Sequence, residues 1–300
     1  MKHGVLLLDK PSGISSNAAL QRVRRMFDWS KAGHTGTLDP LATGLLPVCL
    51  GEATKFSHSM LDADKGYDAS IRLGFCSSTG DAEGEIEARN VPAFADAELQ
   101  EVLRSFVGPI DQIPPMHSAL KRDGKPLYAY ARAGETLVRE PRRIIINSLQ
   151  YIDLEKDVLK ISVSCSKGTY IRVLASDIGD KLGCGAYLLA LRRTEVGDLA
   201  LREASTLDEL AEMDPADRDA RLLPVDRLVQ NLPAVHLDSD ASLRIINGLR
   251  VSTTTGQGVV RLYDPSGAFM GVGETRSDGS LVSKRLVSQA RPAGQLPVDS

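Results

Sequence analysis

The sequence predicts an α+β fold, a mixed sheet core flanked by helices and followed by a small β-rich unit. Three observations point to it. Strand-length apolar runs and helix-length amphipathic runs interleave without the regular alternation of a doubly wound sheet. The 300 residues exceed the roughly 200–250 that one core holds, leaving room for a small appendage. From about Leu243 the text shifts to Gly, Thr and Val in short runs separated by the turns Pro265-Ser266-Gly267 and Ser277-Asp278-Gly279.

Each element has a local reason. Residues 4–9 (GVLLLD) are an apolar strand-length run ended by the turn cluster Lys10-Pro11-Ser12-Gly13. Ser15 or Ser16 can cap a helix reaching about Phe27, with Leu20, Val23 and Phe27 on one face. Residues 33–44 are too polar and too broken by glycine and proline for helix or strand. A buried strand is expected over 45–50, a helix over 52–61, an alternating strand over 66–73 and an acidic turn region over 77–87. Residues 96–106 form an amphipathic helix closed by Gly108-Pro109. A strand pair is expected over 143–153 and 158–165, then a helix over 168–182 with Ile171, Leu174, Ile178 and Leu182 on one face. A short strand over 186–191 runs into Arg192 and Arg193, and 206–213 is a short acidic helix. The expected division is a main domain over 1–240, a small domain over 241–291 and a frayed tail over 292–300.

Composition excludes several classes. With 42% hydrophobic and 25% charged residues the chain is not disordered throughout. No apolar run approaches the ~18–20 residues of a membrane span. Asp9 cuts short the apolar start, so no secretory signal is expected and the location reads as cytoplasmic. Four cysteines without a C-x-x-C pair read as buried thiols, and five histidines without an H-x-x-x-H cluster offer no metal site. A net charge of −3 argues by itself against a nucleic-acid binder. The distribution argues otherwise. The stretch 114–143 carries seven cations (Lys121, Arg122, Lys125, Arg132, Arg139, Arg142, Arg143) against three acidic residues, whereas 201–240 carries four against ten. Only the face that meets a phosphate backbone must be positive, although a solvated loop has the same composition.

The segment Gly33-His34-Thr35-Gly36-Thr37-Leu38-Asp39-Pro40-Leu41-Ala42-Thr43-Gly44 is the most unusual in the chain. It lacks the Gly-Lys-Ser/Thr ending of a phosphate-binding loop. Pro40 restricts Asp39 to extended backbone, from which its carboxylate can act as nucleophile or base, or merely organise the turn. A carboxylate in a cleft needs a cation to stay charged. Arg172, in Ser166-Lys167-Gly168-Thr169-Tyr170-Ile171-Arg172, is the cation expected to pair with it if the fold brings them together.

These segments, with Gly4-Val5-Leu6-Leu7-Leu8-Asp9-Lys10-Pro11, Gly51-Glu52-Ala53-Thr54-Lys55, Asp64-Lys65-Gly66-Tyr67, Ser118-Ala119-Leu120-Lys121 and Leu182-Gly183-Cys184-Gly185-Ala186, closely resemble the TruB family of tRNA pseudouridine-55 synthases over about residues 4–195. The resemblance implies the pseudouridine-synthase mixed sheet with a PUA-like RNA-binding domain behind it. It implies isomerisation of one T-loop uridine of tRNA, with no cofactor, no metal and no obligate protein partner. The essential aspartate falls on Asp39, the histidine that enters the RNA loop on His34, and the tyrosine that stacks on the base on Tyr67. Tyr170, Arg172 and Leu191 match further pocket positions, Arg172 as partner of the aspartate. Lys10 and Pro11 match a motif supporting the catalytic loop, and 114–143 matches the RNA-gripping thumb, with Lys121, Arg122, Lys125, Arg132, Arg142 and Arg143 on the backbone. Two departures stand out: His117 where tyrosine is common, and Gly66 where a second basic residue is frequent, neither expected to touch the catalytic set.

The physics of the residues agrees with this. A uridine in a folded loop must leave the stack, at a few kcal/mol, and a ring such as Tyr67 returns roughly 1–3 kcal/mol by stacking. Isomerisation needs no activated water, hence no second carboxylate of the kind a glycosidase uses, and none is found in these motifs. Two other functions fit less of the sequence: a tRNA-folding chaperone with modification secondary, and a nucleoside hydrolase, which would need an acid paired with Asp39.

Overall fold

The computed structural model describes residues 2–89, 94–118, 120–135 and 137–288, without the Lys121 side chain; the tail expected over 292–300 lies outside them. The large sheet is built on β1 (Gly4–Lys10), β2 (Thr43–Leu50), β3 (Lys65–Leu73), β4 (Gly108–Gln112), β5 (Arg142–Glu155), β6 (Val158–Cys165), β7 (Ala186–Val196) and β8 (Ser205–Thr206), in the order β8-β1-β2-β7-β3-β6-β5-β4. The pairs β1–β8 and β2–β7 are parallel and the other neighbours antiparallel, so the sheet is mixed.

Strand β1 is a continuous apolar run because both of its faces are covered. Leu6 and Leu8 pack under helix α1 (Ser16–Met26), while Val5 and Leu7 face a second cluster that reaches the C-terminal unit. Ser15 caps α1 by accepting from the Ala18 N–H at 3.1 Å, and Ala19, Leu20 and Val23 form its buried stripe. At the other end of the sheet, α2 (Asp96–Ser105) and α4 (Ile171–Lys181) cover β3, β5 and β6, with Leu99, Leu103, Leu174 and Ile178 against Ile71, Ile146, Leu159 and Ile161. Between α2 and α4 in sequence lies the basic excursion, a two-residue hairpin (Lys121–Arg122 with Lys125–Pro126) leading into the short helix α3 (Leu127–Arg132). Helix α5 (Leu207–Glu212) begins at a Thr206–Glu209 capping box and packs near α1.

Four expectations are corrected. The helix expected over 52–61 is two 3₁₀ segments, Gly51–Lys55 and Ser57–Met60. The Thr54 and Ser57 hydroxyls donate to the Gly51 and Thr54 carbonyls, competing with helical bonding. Gly33 and His34, read as irregular, belong with Ala32 to a short strand that pairs with β2. The acidic turn region is closed by a hairpin, Phe75–Ser77 with Ile86–Ala88. Strand β7 continues through Arg192 and Arg193 rather than stopping at Leu191, because Arg193 is turned into the protein and bonded there.

The second sheet comprises β9 (Ala234–His236), β10 (Val251–Ser252), β11 (Gly258–Tyr263), β12 (Phe269–Thr275) and β13 (Ser280–Leu286), ordered β9-β11-β12-β13-β10. It has its own core, Val235, Ile245, Val260, Leu262, Met270 and Leu281. It also contributes Val272 and Val287 to the cluster beneath β1 and β2.

Candidate active site

The loop between Ala32–His34 and β2 crosses the C-terminal end of β1 and is held there by two buried cations. The Lys10 Nζ donates to the carbonyls of Pro11 and Ile14, both at 2.8 Å, and more distantly to Pro40 at 3.5 Å. Burial lowers its ammonium to about 8, with the Asp39 charge acting in the opposite direction. Arg193 donates from Nε to the Leu45 carbonyl at 2.7 Å and from Nη2 to Gly36 at 3.2 Å. Its strand lies so close that a Cβ on Gly44 would sit 2.3 Å from the Arg193 carbonyl oxygen, so only glycine fits there.

The loop delivers Asp39 into a cavity of about 550 Å³ between the sheet and the basic excursion. Asp39, Tyr67, Tyr170, Arg172 and Leu191 all line it, although they come from four different parts of the chain. Arg172 Nη2 stands 3.1 Å from Asp39 Oδ2. The same guanidinium meets Asp81 Oδ2 from Nη1 at 3.2 Å and donates to the His117 carbonyl at 2.8 Å. One cation therefore ties together the Asp39 loop, the turn containing Asp81 and the root of the basic excursion.

Asp81 is a residue the sequence reading missed: with Glu83 it lines the cavity that holds Asp39, which corrects the expectation of a missing second carboxylate. Both oxygens of Asp81 are engaged: Oδ1 accepts from the Thr79 hydroxyl at 2.6 Å and from the Glu83 N–H at 3.1 Å, and Oδ2 meets Arg172. The signal was present as Thr79-Gly80-Asp81, a small-residue turn around one acid. His117 is the other correction: its main chain does touch the set, through Arg172. At Gly66 a Cβ would approach the Thr194 hydroxyl to 2.9 Å.

Tyr67 on β3 stands opposite Arg193 on β7. Burial pushes its phenol up, and Arg193 beside it acts the other way. Tyr170, at the N-terminus of α4, is clamped by Gln112, whose side chain accepts from the Tyr170 N–H at 2.8 Å and donates to its carbonyl at 3.1 Å. Burial raises the Tyr170 phenol as well, so both rings enter the cavity uncharged at neutral pH. His34 is not among the cavity-lining residues. Its Nδ1 accepts from the Gly36 N–H at 3.3 Å, and burial, with Arg193 nearby, lowers its pKa and favours the neutral ring. Pro11 likewise stands behind the loop, its carbonyl bonded to Lys10.

Of the basic residues, Arg132 lines the cavity together with Tyr128 on the same helix, α3. Arg122, Lys125, Arg132, Arg142 and Arg143 are all exposed. Arg122 bonds the Val138 carbonyl, Lys125 lies over the Tyr130 ring and Arg132 over Tyr128. Arg142 and Arg143 sit on β5 rather than in the excursion, and Arg143 pairs with Asp111 at 3.3 Å. Among the described residues no group of three or more His, Cys, Asp or Glu side chains is arranged to hold a metal ion.

Comparison with known proteins matches this geometry to a family. The family model for the N-terminal domain of the TruB family pseudouridylate synthases matches residues 24–171. Two C-terminal models, of tRNA pseudouridylate synthase B and of pseudouridine synthase II TruB, match 172–230 and 233–287. The chain belongs to the TruB family of pseudouridine synthases. The tRNA pseudouridine synthase B of Dechloromonas aromatica is 54% identical over 288 residues, 96% of each chain, and that of Methylobacillus flagellatus 51% over 289 residues, again 96% of each. Among solved structures, an H/ACA ribonucleoprotein bound to a substrate RNA containing 2′-deoxyuridine aligns at a TM-score of 0.72, covering 98% of this chain and 87% of that one at 22% identity. A Cbf5-Nop10-Gar1 complex aligns at 0.68, covering 91% of this chain and 78% of that one at 24% identity. These structures share the fold, the pseudouridine-synthase mixed sheet of a TruB enzyme. Among the described residues no helix is long and apolar enough to cross a membrane.

Proposed function

We propose that this TruB-family isomerase converts the T-loop uridine at position 55 of tRNA to pseudouridine in the cytoplasm, with Asp39 as its catalytic residue and no metal or cofactor. The observation that carries the reading is the Arg172–Asp39 pair at 3.1 Å inside a cavity lined by Tyr67. The pair aims one carboxylate oxygen, while the side chain remains 45% exposed and reaches the cavity. The isomerisation conserves every atom. The bond from C1′ to N1 breaks, the base turns and C1′ bonds to C5, and a proton leaves C5 as N1 gains one. Tyr67 supports the flipped base by stacking, Tyr170 and Leu191 wall the pocket, and His34 occupies space on the RNA side of the loop. The exposed Arg122, Lys125, Arg132, Arg142 and Arg143, with Lys121, hold the T-arm backbone. The C-terminal sheet, β9 to β13 from Ala234 onward, serves as the PUA-like RNA-binding domain, so the boundary expected between 240 and 241 falls a few residues earlier, before β9.

The test is pseudouridine formation in an unmodified tRNA transcript with a chelator present. Wild-type protein forms one pseudouridine at position 55, and Asp39→Asn binds the transcript but forms none. Formation by Asp39→Asn at the wild-type rate would refute the assignment. Tight binding without product by the wild type would favour the chaperone, and release of free uracil the hydrolase.

A further inference from the structure

Arg172 fixes the carboxylate of Asp39, but a reacting group also needs its backbone held to within about half an ångström. The fold meets this requirement on both sides of the residue. After it, the Pro40 carbonyl accepts from the Gly13 N–H at 2.8 Å and from Lys10. Before it, the Leu38 N–H donates to Ser16 Oγ at 2.7 Å, and Ser16 Oγ donates back to the Leu38 carbonyl at 2.8 Å. One hydroxyl thus serves both main-chain groups of a single residue. Those groups belong to the two peptide planes that meet at the Leu38 Cα, and the second plane contains the amide nitrogen of Asp39. Neither Leu38 group has another hydrogen-bond partner among the described residues.

The Ser16 side chain has no competing duty. The N-cap of α1 is Ser15, so the hydroxyl of Ser16, the first helical residue, is left for the loop. It is 1% exposed, shielded from the bulk solvent that could otherwise replace the lost bonds. The two serines divide the work: one starts the helix, and the next ties that helix to the loop 22 residues away in sequence.

We propose that Ser16 is a positioning residue for Asp39, its hydroxyl setting the peptide from which the reacting carboxylate projects. This rests on the reading that Asp39 acts on the flipped uridine. Loss of the hydroxyl lets the Leu38 peptides rotate and moves the carboxylate relative to the base, while the RNA grip is untouched. The signature is therefore in kcat rather than KM.

The experiment measures kcat and KM for an unmodified tRNA transcript, with melting temperatures, for Ser16→Ala, Ser16→Cys and Thr206→Ala, alongside Asp39→Asn. Thr206→Ala removes the capping box of α5 and serves as a control for stability loss away from the loop. Ser16→Ala is expected to lower kcat by about 10- to 100-fold with KM within about twofold. Ser16→Cys, whose thiol is a weak donor and acceptor of nearly the same shape, falls between it and the wild type. Thr206→Ala keeps the wild-type kcat. A Ser16→Ala kcat within about twofold of wild type, or a loss confined to KM, or an equal kcat loss in Thr206→Ala, would overturn the proposal. If Ser16→Ala does not fold, Ser16→Cys carries the same criterion. Wild-type turnover by Asp39→Asn would instead sink the reading of Asp39 itself, and the Ser16 proposal with it.

Discussion

The Arg172 guanidinium faces two carboxylates in very different surroundings: the Asp81 side chain is 3% exposed and that of Asp39 is 45%. Removing the cation would strand one charge in the interior and release the other into a hydrated cleft. Arg172→Met is therefore expected to cost about 3–5 kcal/mol of stability, nearly all of it through Asp81. Adding Asp81→Asn should recover most of that loss in urea denaturation, because the stranded charge is gone. It should recover no pseudouridine formation, because Asp39 is still unaimed. Recovery of activity together with stability would mean that Arg172 matters to the fold and not to Asp39. Tyr67 offers a second test at this scale. If its ring stacks on the base, Tyr67→Ala should lower kcat/KM by about 10- to 100-fold and Tyr67→Phe far less, since a stacked ring is worth roughly 1–3 kcal/mol. Equal losses would place the contribution in the hydroxyl, which lies beside Arg193.

The loop carrying Asp39 is shaped by the segment 10–16, whose central device is a buried ammonium. Burial lowers Lys10 to about 8 in the folded protein, against 10.5 for an exposed lysine. The unfolded chain therefore binds this proton more tightly than the folded one, and the penalty is fully present below pH 8. Between pH 8 and 10.5 the folded Lys10 releases its proton first, so its contribution to stability rises with pH. Wild type should thus gain stability relative to Lys10→Met between pH 7.5 and 9.5 in urea denaturation; a constant difference would exclude the shift. The same segment shows what the sequence could and could not disclose. Lys10-Pro11, the Ser15 cap and the Asp39-Pro40 turn are local signals, and each falls where it was expected. The Arg172–Asp39 pair was legible as chemistry, a carboxylate needing a cation. Asp81 was not, because what makes it functional is a partner 91 residues away rather than its own neighbours. Arg193 was hidden for a related reason. A charged residue at the end of an apolar run reads as the strand's exit to solvent, whereas here it is 2% exposed and bonded to the carbonyls of Leu45 on β2 and Gly36 in the loop. The 3₁₀ segments after Gly51 escaped because helical periodicity records which faces are apolar and takes no account of hydroxyls that bond back to the chain.

At the scale of the whole molecule, the two sheets share a core instead of hanging on a linker. Phe56, after the first 3₁₀ segment, meets Phe269 of β12 edge-on at 5.4 Å, and Val272 and Val287 pack with Val5, Leu7 and Leu45. Around this contact, Lys55 bonds Glu52 at 2.7 Å and both the Leu286 carbonyl and the Ser288 hydroxyl at 3.0 Å, while Glu52 accepts from the Ser288 hydroxyl at 3.1 Å. The Gly51-Glu52-Ala53-Thr54-Lys55 motif is thus the seat of the C-terminal unit, which gives that unit a fixed position relative to Asp39. A shared apolar core couples the unfolding of the parts that share it. Trp29 is the single tryptophan and packs with the α1 cluster in the large domain, so its fluorescence reports that domain, whereas far-ultraviolet circular dichroism reports both sheets. The two signals should trace one coincident urea transition. Phe269→Ala, although 63 residues beyond the last strand of the large sheet, should shift the Trp29 transition by about 2 kcal/mol, below the 3–5 typical of a fully buried phenylalanine because this ring is only partly buried. A Trp29 transition that ignores Phe269→Ala, or that separates from the dichroism, would show two independent domains, and the second would then be free to move relative to the site.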